Sequence, residues 1–117
     1  MIESYKDLIV WQKSMDLAEL VYHFSEILPS SENFGLKSQI RRAAISIPSN
    51  IAEGYGRQSS GSYKQFLMVA RGSLLELETQ IELSVRLKYL DKEKVSKLES
   101  NIVEISKMLT SLISKIK

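Results

Sequence analysis

Four stretches of the chain carry apolar residues at alternating intervals of three and four positions, which is the period of an amphipathic helix. The first stretch has two adjacent stripes and is therefore apolar over a wide arc, whereas each of the others has one. The stripes of the first stretch are Leu8, Trp11, Met15, Ala18 and Tyr22, and Val10, Leu17, Val21, Phe24 and Leu28. Those of the other three are Leu36, Ile40, Ala43, Ala44, Ile47, Ile51 and Tyr55; Leu67, Ala70, Leu74, Leu77, Ile81 and Ser84; and Val95, Leu98, Ile102, Ile105, Leu109, Leu112 and Ile116.

Short polar connections separate these predicted helices. Pro29 predicts the end of the first, Ser62 with Gln65 predicts a capping box for the third, and Asp91 predicts the N-cap of the fourth. Short connections place consecutive helices antiparallel to one another. The pattern therefore predicts an all-α, antiparallel up-down-up-down four-helix bundle that forms a single domain over residues 1–117.

The stretch SIPSNIAEG, residues 46–54, interrupts the second helix with a proline, which costs about 3 kcal/mol inside a helix. The apolar spacing nevertheless continues unchanged through it, which favours one helix kinked at Pro48 over two separate helices. Asn50 projects to the edge of the apolar arc, so we expect it to hydrogen-bond across to another helix. Gly54 and Gly56 are expected to let the helix finish and the chain turn.

The composition lacks most of the residue types and motifs that are typical of an active site. There is no Cys, and His23 is the only histidine. The stretch GYGRQSSG lacks the GK[ST] ending of a phosphate-binding loop, and Glu76, Glu78 and Glu82 lack the Glu-x-x-His partners of a di-metal bundle. We therefore predict a non-enzyme without catalytic residues, cofactor or metal. No membrane-length apolar run or signal-peptide pattern is present, so we expect a soluble, cytoplasmic protein.

Positive charge is concentrated in the middle of the chain. The formal net charge is only +2, yet six of the seven charged residues in 37–72 are basic, and the exception is Glu53. The six are Lys37, Arg41, Arg42, Arg57, Lys64 and Arg71. They would either contact the phosphates of a nucleic acid or pair with the acidic first helix, within the bundle or between subunits.

Two further surfaces suggest protein contacts. Ile45 lies nearly opposite the apolar arc of the second helix, and together with the double stripe of the first helix it favours homo-oligomerisation. A polar stripe on the same helix, formed by Arg42, Ser46, Ser49 and Glu53, offers an alternative function, which is an adaptor that docks another protein without nucleic acid.

Three segments together resemble a known family. These are QIRRAAISIPSNIAEG, with VWQKSMDLAELVY before it and FLMVARGSLLELETQIELS after it. They are similar to the four-helix-bundle proteins encoded by intervening sequences of bacterial 23S ribosomal RNA genes, and the similarity covers nearly the whole chain. The family signature falls on Gln39, Arg42, Ser46, Pro48, Asn50, Glu53, Gly54, Ala70, Ser73, Glu76 and Leu77, which we interpret as structural or assembly residues.

The resemblance implies a ring-like homopentamer without enzymatic activity. It also implies kinship in fold with the accessory proteins of diversity-generating retroelements, which are far more basic, bind nucleic acid and partner a reverse transcriptase. We therefore expect an oligomeric scaffold that associates with ribosomal or other RNA through the basic middle segment, and that has no membrane partner.

Overall fold

The computed structural model describes residues 1–117 and contains four α-helices, two short 3-10 turns and no strand. The helices are α1 Ile9–Ser25, α2 Leu36–Tyr55, α3 Ser60–Arg86 and α4 Ser96–Lys115, and the turns are Tyr5–Asp7 and Ser30–Glu32. Both α1 and α3 pack against α2 and α4, whereas no Cα atoms of α1 and α3 come within 8 Å of each other, nor do any of α2 and α4. This arrangement is a four-helix bundle of 43 × 25 × 20 Å, and the predicted all-helical architecture is confirmed. None of its helices combines the length and the apolar character needed to cross a membrane.

The core is one cluster of 21 buried apolar residues drawn from all four helices and from the α1–α2 and α3–α4 connections. Of the two stripes on α1, the one containing Leu17 and Val21 is buried, while Met15 and Tyr22 of the other are 40% and 39% exposed. The predicted stripe of α4 is correct up to Leu109. Beyond it, Ile113 is buried instead of Leu112, because a strict seven-residue repeat drifts around a straight helix of 3.6 residues per turn.

Helix α2 runs without interruption through Pro48, which is itself buried. The predicted role of Gly54 as a helix terminator is wrong, since Gly54 lies inside the helix and Gly56 is the residue that follows it. A Cβ at Gly54 would lie 2.7 Å from Cβ of Phe66 and 3.2 Å from Cδ1 of Tyr63. Gly54 is therefore required for the close approach of α2 to α3 and not for a turn.

Two predicted helix boundaries are displaced by nearby hydrogen bonds. Helix α1 ends at Ser25, four residues before Pro29, because the amide of Leu28 bonds to the carbonyl of Ser25 in a tightened last turn. The capping box predicted at Ser62 is absent. Ser59 is the N-cap of α3 instead, and its hydroxyl accepts a hydrogen bond from the Ser62 amide at 3.1 Å.

The predicted cap of α4 is also wrong. Asp91 accepts a hydrogen bond from the Glu93 amide at 2.9 Å, so it caps a turn that precedes the helix. Helix α4 itself begins at Ser96, after Val95. Val95 is fully buried, and we infer that anchoring this side chain in the core sets where the helix starts.

The close approach at Gly54 leads to a test of stability. Replacement of Gly54 by Ala forces its methyl group against Phe66, and we expect unfolding in urea to show a loss of about 1–3 kcal/mol. Gly72 is the matched control, because it also lies within a helix but a Cβ there meets nothing within 4 Å. Gly72→Ala should stabilise the protein by about 0.5–1 kcal/mol. Equal effects of the two substitutions would contradict the assigned role of Gly54.

Candidate functional site

A groove of about 760 Å³ lies along the outer face of α2, and we call it the α2 groove. Its lining contains three cations, several hydroxyl and amide groups, and no carboxylate. The lining residues are Tyr22, Asn33, Lys37, Ser38, Arg41, Arg42, Ile45, Ser46, Ser49 and Asn50. Such a surface offers many hydrogen-bond donors and a positive charge, which are the properties that bind phosphate or carboxylate groups.

The helical period of α2 builds this groove. Ser38, Arg42, Ile45 and Ser49 follow one another at intervals of three and four, so their side chains share the outward face of the helix. Arg42 is exposed and makes no hydrogen bond or ion pair within the chain. Its guanidinium is therefore available to an anion from outside.

The edge of the groove next to α1 is held by one carboxylate. Arg41 forms an ion pair with Glu26, and the Lys37 ammonium lies 3.7 Å from the same carboxylate. Arg41 also donates from Nε to Oγ of Ser25 at 2.7 Å, and its guanidinium lies 4.5 Å from the centre of the Tyr22 ring. The hydrogen bond from Arg41 and the positive charges of Lys37 and Arg41 lower the pKa of Glu26. Two of the three cations are thus fixed in position and partly neutralised.

The opposite edge is joined to α3 by hydroxyl groups. The Asn50 amide donates to the carbonyl of Ser46 at 2.7 Å and to its hydroxyl at 2.9 Å, and that hydroxyl lies 2.8 Å from Oγ of Ser73. The predicted bond from Asn50 to another helix is therefore wrong. An Asn side chain reaches the carbonyl four residues back in its own helix, so Ser46 is the residue that makes the link to α3.

The other signature residues have mixed surroundings. Pro48 is buried between helices, as is Gly54, whereas Gln39 is exposed. Glu53 makes an ion pair with Arg57 at 3.0 Å, and Glu76 is exposed without a partner. The signature is thus divided between packing positions and free surface positions.

Three of the six predicted cations lie outside the α2 groove. Arg57 pairs with Glu53 and lies 4.7 Å over the ring of Phe66. Arg71 donates to Thr110 of α4 at 3.5 Å, and Lys64 is partly buried without an ion pair. The chain therefore brings together Lys37, Arg41 and Arg42, and places the remaining three on other surfaces.

Tyr22 and Asn33 line the groove although sequence reasoning did not select them. Tyr22 belongs to a helical apolar stripe, and Asn33 lies in a polar turn, so neither has a local signal for binding. The only available hint was that a tyrosine ring combines an apolar body with a polar tip.

A second groove of about 390 Å³, which we call the apolar seam, lies between α1 and α2. No charged residue lines it. Its lining consists of Tyr5, Trp11, Met15, Ala18, Ile45, Pro48, Ser49 and Ala52. Ile45 and Ser49 belong to both grooves, so the cationic and apolar surfaces are continuous.

The residues that were considered for catalysis or metal binding line neither groove. His23 is exposed, and its ring meets Phe24 edge-on at 6.1 Å. Glu76, Glu78 and Glu82 are exposed, and Glu82 pairs with Arg86 at 3.0 Å. No group of three or more His, Cys, Asp or Glu side chains is placed to hold a metal ion.

Comparison with known proteins identifies a matching family and solved structures that share the fold. A family model described as 23S rRNA-intervening sequence protein matches residues 6–111. A protein of unknown function from Bacteroides thetaiotaomicron, described as a member of the S23 ribosomal protein family with a crystal structure at 1.70 Å, is 29% identical. The match covers 90% of this chain and 98% of that protein, with a TM-score of 0.83. No curated protein matches the chain. Neither description names a reaction.

The ion pairs of Glu26 predict a dependence of stability on pH. The pKa of Glu26 is lowered in the folded protein, so its ion pairs add to the free energy of unfolding above about pH 4.3. This stabilisation is lost as the pH falls through the pKa that Glu26 has in the folded state. In Glu26→Gln we expect a smaller difference in urea midpoint between about pH 7 and pH 3 than in the wild type. Glu78→Gln, at an exposed residue without an ion pair, is the control and should keep the wild-type difference.

Proposed function

The chain belongs to the family of 23S rRNA-intervening sequence proteins, and from this we propose that it is a non-enzymatic, homopentameric helical-bundle scaffold that associates with RNA. The proposal has two halves, RNA association and assembly. The RNA half rests on the α2 groove, whose lining contains three cations and no carboxylate. The apolar seam and the exposed apolar residues of α3 support the assembly half.

The scaffold that we propose is an antiparallel up-down-up-down bundle. Ser46 of α2 meets Ser73 of α3, whereas Gly54, later in α2, faces Tyr63 and Phe66, which come earlier in α3. Residue numbers therefore increase in opposite directions along the two helices. Short connections favour the same orientation for the other neighbours.

We further propose that α2 is kinked at Pro48. Proline has no amide hydrogen for the carbonyl of Ala44, and its ring crowds that carbonyl, which bends a helix. A kink would displace the two halves of α2 relative to each other. The apolar seam and the α2 groove meet at this point, so the kink would shape both.

Assembly needs surfaces that another copy can cover. A closed ring with head-to-tail contacts requires two different surfaces on each protomer. The apolar seam is one candidate. The outward face of α3 is the other, since Met68, Leu75 and Leu83 are exposed there and Leu75 is 59% exposed. Covering both would remove much apolar area from water, which is the main source of free energy in association.

RNA association is supported by the charge and geometry of the α2 groove. Arginine presents a planar fork of donors that matches phosphate oxygens, and Arg42 has no competing partner in the chain. Contacts of this kind neutralise the backbone and do not read bases. Glu26 offsets part of the charge of Lys37 and Arg41, so we expect binding of moderate strength with a marked salt dependence.

A protein-binding adaptor that docks through the polar stripe of α2 is the second candidate. In that stripe Arg42 and Ser49 are exposed and Arg42 has no ion pair, so they can meet complementary groups on another protein. Capture of a partner that survives nuclease treatment, together with the absence of RNA binding at low salt, would favour this function over the first.

The RNA half is tested by titrating labelled RNA at increasing salt concentration. We expect affinity to fall steeply with salt, and Arg42→Gln to reduce the slope by about 0.7 for single-stranded RNA. Glu26→Gln should increase affinity, because it frees Lys37 and Arg41. Lys97→Gln on α4 is the control, since it removes the same charge at a residue that does not line the groove. Absence of binding at low salt, or binding that salt does not weaken, would contradict the proposal.

The assembly half is tested by light scattering. The wild type should have the mass of five 13.3 kDa chains. Met15→Glu places a charge in the apolar seam and should give a smaller species. Val103→Glu is the matched control, because Val103 is 47% exposed on α4 and lines neither groove. A wild-type monomer at micromolar concentration, or equal disruption by both substitutions, would overturn the assignment.

A further inference from the structure

Phe34 lies in the connection between α1 and α2, and 98% of the residue is accessible to solvent. It contributes nothing to the core cluster. The residue before it, Asn33, lines the α2 groove. A fully exposed phenylalanine thus stands at one end of a surface that carries three cations.

The loop that carries Phe34 is anchored at both ends. One carboxylate oxygen of Glu32 accepts the amide of Leu36 at 3.0 Å, and the other accepts the hydroxyl of Tyr89 at 3.0 Å. The amides of Asn33 and Gly35 make turn hydrogen bonds at 3.1 Å. Since Tyr89 lies in the α3–α4 connection, the loop is attached to a different part of the bundle. Phe34 is therefore held out from the protein by a fixed backbone.

A second aromatic ring lies in the groove itself. Tyr22 is partly exposed, and its ring is held by the Arg41 guanidinium at 4.5 Å. Cations that follow a phosphate backbone, together with aromatic rings that accept unpaired bases, are typical of surfaces that bind single strands. Duplex RNA keeps its bases stacked within the helix, so it can use the cations but not an exposed ring.

We propose that Phe34 is a base-stacking platform, and that the ligand of the α2 groove is single-stranded RNA in a loop, a bulge or an end. This inference rests on the proposed RNA association and specifies its substrate class. The cations provide affinity for any RNA, and Phe34 provides the preference for unpaired bases. A phenylalanine that instead enters a pocket of a partner protein is the competing explanation, and the experiment below separates the two.

The test compares two labelled RNAs by fluorescence anisotropy at low salt, namely a single-stranded oligouridylate of about twelve nucleotides and a blunt duplex of equal phosphate number. We expect Phe34→Ala to weaken binding of the single strand about tenfold and to leave the duplex unchanged. Phe34→Trp should retain affinity and show fluorescence quenching by the single strand, measured against the wild type, whose only tryptophan is Trp11. Ile27→Ala is the matched control, because Ile27 is exposed in the same connection but does not line the groove.

The outcomes separate this inference from the function on which it rests. If Phe34→Ala has no effect, or weakens both RNAs equally, the stacking role is wrong, while a loss in Arg42→Gln still supports RNA association. If the wild type binds neither RNA, both are wrong. If Phe34→Ala leaves RNA binding intact but abolishes capture of a protein that survives nuclease, the competing explanation replaces ours. Unfolding in urea should be unchanged in Phe34→Ala, because the side chain contacts no core residue.

Discussion

The close contact between α2 and α3 determines how α2 is oriented, and both candidate surfaces depend on that orientation. At Gly54 there is no room for a Cβ between the helices. At Ser46 a pair of hydroxyl groups joins them. These two contacts fix the rotation of α2 about its axis, because one lies near its end and the other near its middle. The face that carries Arg42, Ile45 and Ser49 is consequently turned outward, where it forms the α2 groove and one side of the apolar seam.

Glu26 links stability with the capacity to bind anions. Its carboxylate stabilises the folded state by pairing with Lys37 and Arg41, and the same pairing offsets their charge in the groove. Arg42 keeps its full charge, because it is exposed and has no ion pair in the chain. The groove therefore combines two positioned cations with one free cation.

The sequence allowed only part of the candidate site to be predicted. Three of the six cations selected by their position in the chain share the groove, whereas Arg57, Lys64 and Arg71 lie elsewhere. The first three lie within six residues of one helix, and Lys37 and Arg41 are one turn apart, so the local helical structure keeps them close together. The others lie beyond the end of α2 or on α3, and their positions depend on how the helices pack. The prediction that Asn50 bonds directly to another helix is wrong for a related reason. The sequence shows that a buried polar group needs a partner but not which one, and Asn50 donates to Ser46 in its own helix.

The sequence by itself determined the number of helices, their approximate extent and the continuity of α2 through Pro48, because apolar periodicity records which side of a helix must leave water. Only the tertiary structure decided which stripe of α1 is buried, where α3 and α4 begin, and why residue 54 must be glycine. Each of these depends on a choice between local options of similar free energy, and the choice is made by contacts between residues that are far apart in the chain. The tertiary structure also decides the candidate roles of Tyr22, Asn33 and Phe34. Nothing in their local sequence marks them, and they acquire a candidate role only because the fold places them beside the cations of α2.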